Sequence, residues 1–137
     1  MLVEFSLVFV IFMLVLYALI TFGVLLASKN SLTHAAAEGA RAAVAVVDDT
    51  STPGVDEREQ RALDQVTKSL SWLGNRFQPG DATAKVAACG GGAPVGTQCI
   101  TVTVTYPYST RPIIPPAPGL GLVIPDKLTS TAVVELT

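Results

Sequence analysis

The sequence predicts an α+β protein, in which a long apolar N-terminal helix leads into a small head of one further helix and a three-stranded antiparallel sheet. Three observations carry this prediction. Residues 5–28 are uncharged and mostly apolar, residues 63–77 carry apolar side chains at alternating spacings of three and four, and residues 100–106 alternate apolar side chains with threonine.

The first helix is predicted over residues 1–47, because no proline interrupts this stretch. The uncharged run, residues 5–28, is ~36 Å long as a helix, enough to cross a hydrocarbon core of ~30 Å. We therefore predict a membrane-spanning helix over residues 1–47 and a globular head over residues 48–137.

Beyond the uncharged run the first helix becomes amphipathic, with a stripe of mostly small residues that predicts close packing against the head. The alternative is an alanine-rich helix selected only for its helix propensity. The stripe consists of Leu32, Ala36, Ala40, Ala43 and Val47.

A second helix is predicted over residues 56–76, ended by Gly74, Asn75 and Pro79. Its buried face is predicted from the alternating spacing, and Trp72, beside that face, is predicted in the core or at its edge. The face consists of Leu63, Val66, Leu70, Leu73 and Phe77.

Strands are predicted over residues 83–88, 100–106 and 128–136. The connection between the last two, residues 107–125, holds six of the nine prolines. Such a composition is also typical of a disordered linker or a peptide ligand. We expect a structured crossover, because a strand pattern resumes after it.

The two cysteines, Cys89 and Cys99, lie close together beyond the apolar helix, which favours a disulfide in an oxidising compartment. Free thiols remain the alternative. We expect no metal site, because such a site needs about four ligands and the single histidine, His34, lies far away in sequence.

The composition also excludes several classes of function. The net charge is −2 and the basic residues are scattered, so we expect no nucleic-acid partner. No nucleophile elbow, phosphate loop or zinc-protease motif occurs. We therefore expect neither an enzyme nor a cofactor-binding protein.

The N-terminus carries an unusual charge pattern, because Glu4 precedes the apolar run and the first cation is Lys29. Membrane anchors normally begin with positive charge. We expect that a basic leader has been removed, either by biological processing or by a deliberate choice of the starting residue; a truncated sequence is the alternative. A carboxylate at the edge of such a run lies in the headgroups or has a specific partner, and the headgroup position is favoured here because Glu4 is within one helical turn of the helix end.

At Val3-Glu4-Phe5, the apolar run and Glu38-Gly39-Ala40-Arg41, the sequence resembles the TadE-like pilins of the tight-adherence branch of type IV pili. The late part of the chain is also similar, over residues 102–108, the Pro/Gly-rich segment that follows and residues 128–133. The resemblance implies a leader cut by a prepilin peptidase and an assembly site at Met1, Glu4 and Phe5. It also favours pairing of the Glu4 carboxylate with the α-amino group of an adjacent subunit, because a bare carboxylate in a filament core would be costly and no lysine or arginine lies within the first 28 residues. That family usually has its glutamate at the fifth mature position, whereas here it is the fourth residue.

The resemblance further implies a structural subunit of an extracellular type IV-like pilus, a homo-oligomeric helical filament at the cell surface. The helix of residues 1–47 would form the core of that filament. Before assembly, the subunit would be a single-pass protein of the cytoplasmic membrane in contact with the pilus assembly machinery. The alternatives are a minor pseudopilin or assembly factor retained in the membrane, and a membrane-tethered binding module.

Overall fold

The computed structural model describes residues 2–46, 57–90, 94, 96–115 and 124–136. The predicted α+β architecture is confirmed: a long apolar helix, one further α-helix and a three-stranded antiparallel sheet. Both helices contact the sheet and each other. The elements in chain order are α1 (Leu2–Val44), α2 (Glu57–Ser69), two 3-10 turns (Ser71–Arg76 and Pro79–Asp81), β1 (Ala82–Ala88), β2 (Gln98–Tyr106) and β3 (Leu128–Leu136).

Helix α1 is continuous from Leu2 to Val44, as expected for a stretch without proline. Met1 and Val47, which were included in the predicted helix, lie outside the described residues, as does the predicted boundary between helix and head. The small-residue stripe packs closely, as predicted. Its described members, Leu32, Ala36, Ala40 and Ala43, are all buried.

Gly39 is a point of close approach between α1 and the head. A Cβ atom added there would lie 2.6 Å from Val66 Cγ2 and 3.0 Å from the Ala62 carbonyl oxygen, both on α2, and 3.5 Å from Val102 Cγ1 on β2. In real proteins a Cβ atom essentially never lies within 3.0 Å of a heavy atom from another part of the chain. Glycine therefore lets the backbones of α1 and α2 approach more closely than alanine would.

Helix α2 is shorter than predicted, because the α-helix ends at Ser69 and a 3-10 turn continues to Arg76. Within that turn Gly74 has a φ of +55°, a left-handed conformation that breaks any regular helix. The predicted buried face is nevertheless confirmed. Leu63 is partly buried against the core, and the other four members, Val66, Leu70, Leu73 and Phe77, are buried.

Trp72 is not in the core, so that part of the prediction is wrong. Its side chain is 55% exposed, because the 3-10 turn directs Leu70 and Leu73 inward and leaves the two residues between them outside. The indole Nε1–H donates a hydrogen bond to Ser31 Oγ on α1, at 3.2 Å.

The sheet has the order β1-β2-β3, and both strand pairs are antiparallel. In the central strand, Ile100, Val102, Val104 and Tyr106 are buried, whereas the intervening threonines are only partly covered. This is the alternation predicted from the sequence. The register places Val102 opposite Ala84 on β1 and Ala132 on β3.

The connection from β2 to β3 is ordered where it is described, in residues 107–115 and 124–127, as predicted for a crossover. The Ser109 N–H donates to the Asp126 carbonyl at 3.1 Å, joining its two ends. Residues 116–123 lie outside the described part of the chain.

Candidate assembly surface

The N-terminal part of α1 projects beyond the head. Residues 3–16 are all exposed, and almost all of them are apolar. Within the described chain, the large exposed apolar side chains lie on α1 between Val3 and Leu26, apart from Val44, Trp72 and Val133. The segment Val3–Val44 is long and apolar enough to cross a membrane. This surface must be covered by something other than the head.

The head begins to cover α1 at Tyr17, whose hydroxyl donates a hydrogen bond to the Pro115 carbonyl. Further along the same face, Thr21 and Ser28 are buried, and each donates its hydroxyl to a carbonyl four residues earlier, at 2.8 Å and 2.7 Å. Both buried hydroxyl groups therefore have a hydrogen-bond acceptor within the helix itself. The opposite face remains apolar and exposed at Leu19 and Leu26.

Of the three predicted assembly residues, the structure describes two. Glu4 lies in the first turn of α1 and is exposed, and Phe5 beside it is 69% exposed. The Phe5 ring stacks on Phe9, with ring centroids 6.1 Å apart. Glu4 is thus the single carboxylate on an apolar surface. Met1 lies outside the described residues.

Cys89 and Cys99 form a disulfide, as predicted, with a Cα–Cα distance of 5.0 Å. The bond joins the chain after β1 to the second residue of β2. The Cys89 N–H also donates to the Thr97 carbonyl at 3.0 Å. The disulfide therefore closes the hairpin at the end where residues 91–93 and 95 are not described.

The sequence did not reveal a polar cluster around Arg111. Its guanidinium donates to Asp81 Oδ1 at 2.7 Å and to the Arg76 carbonyl, and it lies over the Tyr106 ring, 5.9 Å from the centroid. The hydrogen bond to Asp81 raises the pKa of Arg111, and burial raises the pKa of Tyr106. The Tyr106 hydroxyl donates to the Arg111 carbonyl. These bonds fix the start of the connection that reaches Tyr17.

The family model described as TadE-like protein matches residues 1–41. The N-terminal segment of this chain is TadE-like. The resemblance predicted from the sequence is therefore confirmed over that segment. No curated protein and no solved structure is significantly similar to the chain.

The TadE-like segment includes two different surfaces of α1. Residues 3–16 are the uncovered apolar surface, whereas Gly39 and Ala40 are buried against the head. Together with the apolar helix, the match indicates a membrane-anchored protein associated with the tight-adherence pilus. Among the described residues no group of three or more histidine, cysteine or acidic side chains is placed to hold a metal ion.

Proposed function

We propose that this protein is a structural subunit of an extracellular type IV-like pilus, and that it polymerises through α1. The observation that carries the proposal is the apolar surface of residues 3–16, which the head leaves uncovered on every side. Exposed apolar surface of this extent is stable only in lipid or against other protein. The same helix thus serves as an anchor before assembly and as filament core afterwards.

The apolar surface continues beyond the uncovered segment, which supports packing between helices along a filament. Leu19, Phe22 and Leu26 are exposed on the side of α1 that the head does not cover. A repeated contact between different surfaces of identical subunits, when it does not close a ring, generates a helical filament. The role we propose is structural, without catalysis. Its partners are further copies of the chain, the pilus assembly machinery and a prepilin peptidase.

The proposal is tested by the composition of sheared surface fibres. Fibres would be sheared from cells that produce the protein, imaged by electron microscopy and quantified by mass spectrometry. We expect this chain to be their main component, with the remainder in the cytoplasmic membrane. A trace amount in the fibres, or retention in the membrane without fibres, would favour a minor pseudopilin or assembly factor. A head that binds a ligand without any fibre would favour a membrane-tethered binding module.

A further inference from the structure

A groove of about 430 Å³ lies between α1 and the beginning of β3. Its lining includes the apolar side chains of Leu25, Leu26 and Leu128 and the cationic side chains of Lys29 and Lys127. The head begins to cover α1 at Tyr17, and Lys29 lies ~18 Å beyond that residue along the helix axis. The groove therefore opens on the side of the head and not at its base, so its occupant is to be sought outside the bilayer.

The charge of this groove is entirely positive, because Lys29 and Lys127 line it and no described carboxylate does. Neither lysine forms an ion pair with another described residue. Asp126 is adjacent to Lys127 in the sequence but is exposed outside the groove. Two unpaired cations beside an apolar wall complement an occupant that carries a carboxylate among apolar side chains.

The N-terminal end of α1 has this chemistry. Glu4 is exposed, and the side chains around it on the same helix, such as Phe5, Val8 and Phe12, are large, apolar and exposed. The Glu4 carboxylate has no partner within the described chain. It is therefore an unpaired anion on an apolar surface, which is the complement of the groove.

Several other carboxylates of the described chain are already engaged. Glu38 and Asp81 each lie beside an arginine, and Glu59 accepts a hydrogen bond from the Val86 N–H. Glu4 is the described carboxylate that lies on the uncovered apolar segment, residues 3–16. The groove and this segment are thus complementary both in charge and in apolar character.

A second copy can bring its Glu4 to the groove without any change of shape. Within one chain, Glu4 and Lys29 lie ~38 Å apart along the axis of α1, so a single chain cannot join them. A parallel copy that is displaced by this distance has its Glu4 at the level of Lys29. Its uncovered segment, residues 3–16, then runs beside the part of α1 that carries the head.

The flank of α1 next to the groove is suited to such a neighbour. Leu26, Thr33, Ala37 and Val44 follow one another at spacings of seven and four, which places them on one side of the helix. All four are exposed or half-buried. The Ser130 hydroxyl of β3 donates to Thr33 Oγ1 at 3.0 Å, so this is the side of α1 that lies next to β3.

The same displacement aligns side chains of complementary size. Val8 of the displaced copy comes to the level of Thr33, and its Phe12 comes to the level of Ala37. Both project from the same side of the helix as Glu4, because they follow it at intervals of four residues. Small residues such as Ala37 allow a neighbouring helix to approach closely.

We propose that the groove receives the Glu4 end of a second copy, displaced by ~38 Å along α1, with the Glu4 carboxylate between Lys29 and Lys127 and the adjoining apolar side chains on the leucine wall. This inference rests on the proposed filament and names a contact within it. The resemblance implies the α-amino group of an adjacent subunit as the partner of Glu4. The groove adds a cationic partner on a different copy, and this contact fixes the axial spacing of the copies.

The first test measures proximity in sheared fibres. Chains that carry Val8→Cys and chains that carry Thr33→Cys are produced in the same cells, and the fibres are treated with a short thiol crosslinker. Neither substitution alters Glu4 or the two lysines, and the native cysteines are already joined to each other. We expect a covalent dimer of one chain of each kind. The control pair, Val8→Cys with Lys85→Cys on the outer face of the sheet, should give none.

The second test reverses the charge of the groove in the full chain. With Lys29→Glu and Lys127→Glu together, the Glu4 carboxylate would meet two like charges, and we expect fibre yield to fall at least roughly ten-fold. The protein should remain in the membrane with a head that melts normally, because both lysines are exposed. Lys85→Glu should leave fibre yield unchanged. Addition of Glu4→Lys to the double reversal should restore part of the yield, because the signs are then exchanged.

The outcomes separate this contact from the filament itself. Fibres of the unmodified chain, combined with equal crosslinking of the test pair and the control pair, would overturn the proposed contact and leave the filament standing. Equal fibre yields from the double reversal and Lys85→Glu would also overturn it, and would leave the α-amino group as the partner of Glu4. If the unmodified chain forms no fibres, the filament is refuted, and the contact with it.

Discussion

Gly39 combines two opposing effects of a glycine in a helix. In an exposed helix, glycine is less favourable than alanine by ~1 kcal/mol. Here the missing side chain leaves room for Val66 and for the Ala62 carbonyl, both on the adjoining helix. Val66 is fully buried, and its branched side chain has little freedom to move aside in a helix.

We therefore expect Gly39→Ala to destabilise the head by ~1–3 kcal/mol despite the better helix propensity of alanine. The matched control is Gly23→Ala in the same helix, since a Cβ there would meet nothing within 4 Å. Thermal unfolding of the full chain in detergent measures both variants. A Gly39→Ala protein that melts at or above the temperature of the Gly23→Ala protein would show that α1 and α2 are not in such close contact.

Tyr106 should make stability sensitive to alkaline pH. Burial is the main cause of its raised pKa, relative to the ordinary value of 10.0, and is partly opposed by the charges of Arg76 and Arg111. Because the folded state holds the phenolic proton more tightly than the unfolded state, its contribution to stability is complete below pH 10.0 and is lost as the pH rises through the folded-state pKa.

Tyr106→Phe should lower stability at neutral pH by ~1 kcal/mol, through loss of the hydrogen bond to Arg111. It should also flatten the decline in melting temperature above pH 10. The measurement is a series of thermal melts of both proteins across that range. Tyr17 and Tyr108 are common to both chains and cancel in the comparison. If the melting temperatures of the two proteins declined in parallel across that range, Tyr106 would titrate as an exposed phenol does.

Among the elements, α2 packs against both α1 and the sheet through a single apolar face. Leu70, just beyond its last turn, is fully buried and belongs to the core. We expect Leu70→Ala to cost ~2–5 kcal/mol in the free energy of unfolding, because the truncated side chain leaves a cavity. The control is Leu19→Ala, at a site on α1 that is 69% exposed. Equal melting temperatures for the two variants would contradict the packing of this face.

The elements differ in how far the sequence alone specified them. Strand β2 could be predicted because burial imposes a period on its own residues, and helix α1 because a long apolar run without proline is visible in the sequence itself. The end of α2 could not, because apolar side chains at spacings of three and four fit an α-helix that passes into a 3-10 turn as well as they fit a continuous α-helix. Trp72 was misplaced because it stands beside that spacing rather than in it, whereas Gly74 was correctly identified as part of the break.

Contacts between segments that are far apart in the sequence leave no pattern in the residues around them, so the sequence did not predict these contacts. Tyr17 and Pro115 are 98 residues apart, and the acceptor is a backbone carbonyl that any residue could supply. The same holds for Arg111, which bonds to the Arg76 carbonyl as well as to Asp81. The candidate assembly residues, in contrast, were accessible from the sequence, because a lone carboxylate before an uncharged run is visible without any structure.

At the scale of the whole molecule, the head buries its apolar side chains in a core, whereas the N-terminal part of α1 leaves its apolar side chains exposed. Glu4 lies near the end of that open surface, and no other charge occurs on α1 before Lys29. In a membrane, Glu4 is close enough to the helix end to reach headgroups. In a filament core, its charge would be removed from water and would require a cationic partner on a neighbouring copy.

Because Glu4 needs a partner only in the filament core, its substitution tests assembly and leaves the fold intact. We expect Glu4→Gln to enter the membrane and to keep a head that melts normally, because the side chain is exposed and touches no part of the head core. Fibre yield should fall sharply, since loss of one partner from a buried ion pair costs ~3–5 kcal/mol and the loss recurs at every subunit. The control is Glu135→Gln, which removes an exposed carboxylate from β3. Sheared fibres would be counted by electron microscopy in both strains at matched protein levels. Fibres from the Glu4→Gln strain that equal those of the Glu135→Gln strain in number and length would mean that Glu4 remains in water or headgroups throughout, and that the subunits pack through the apolar side chains alone.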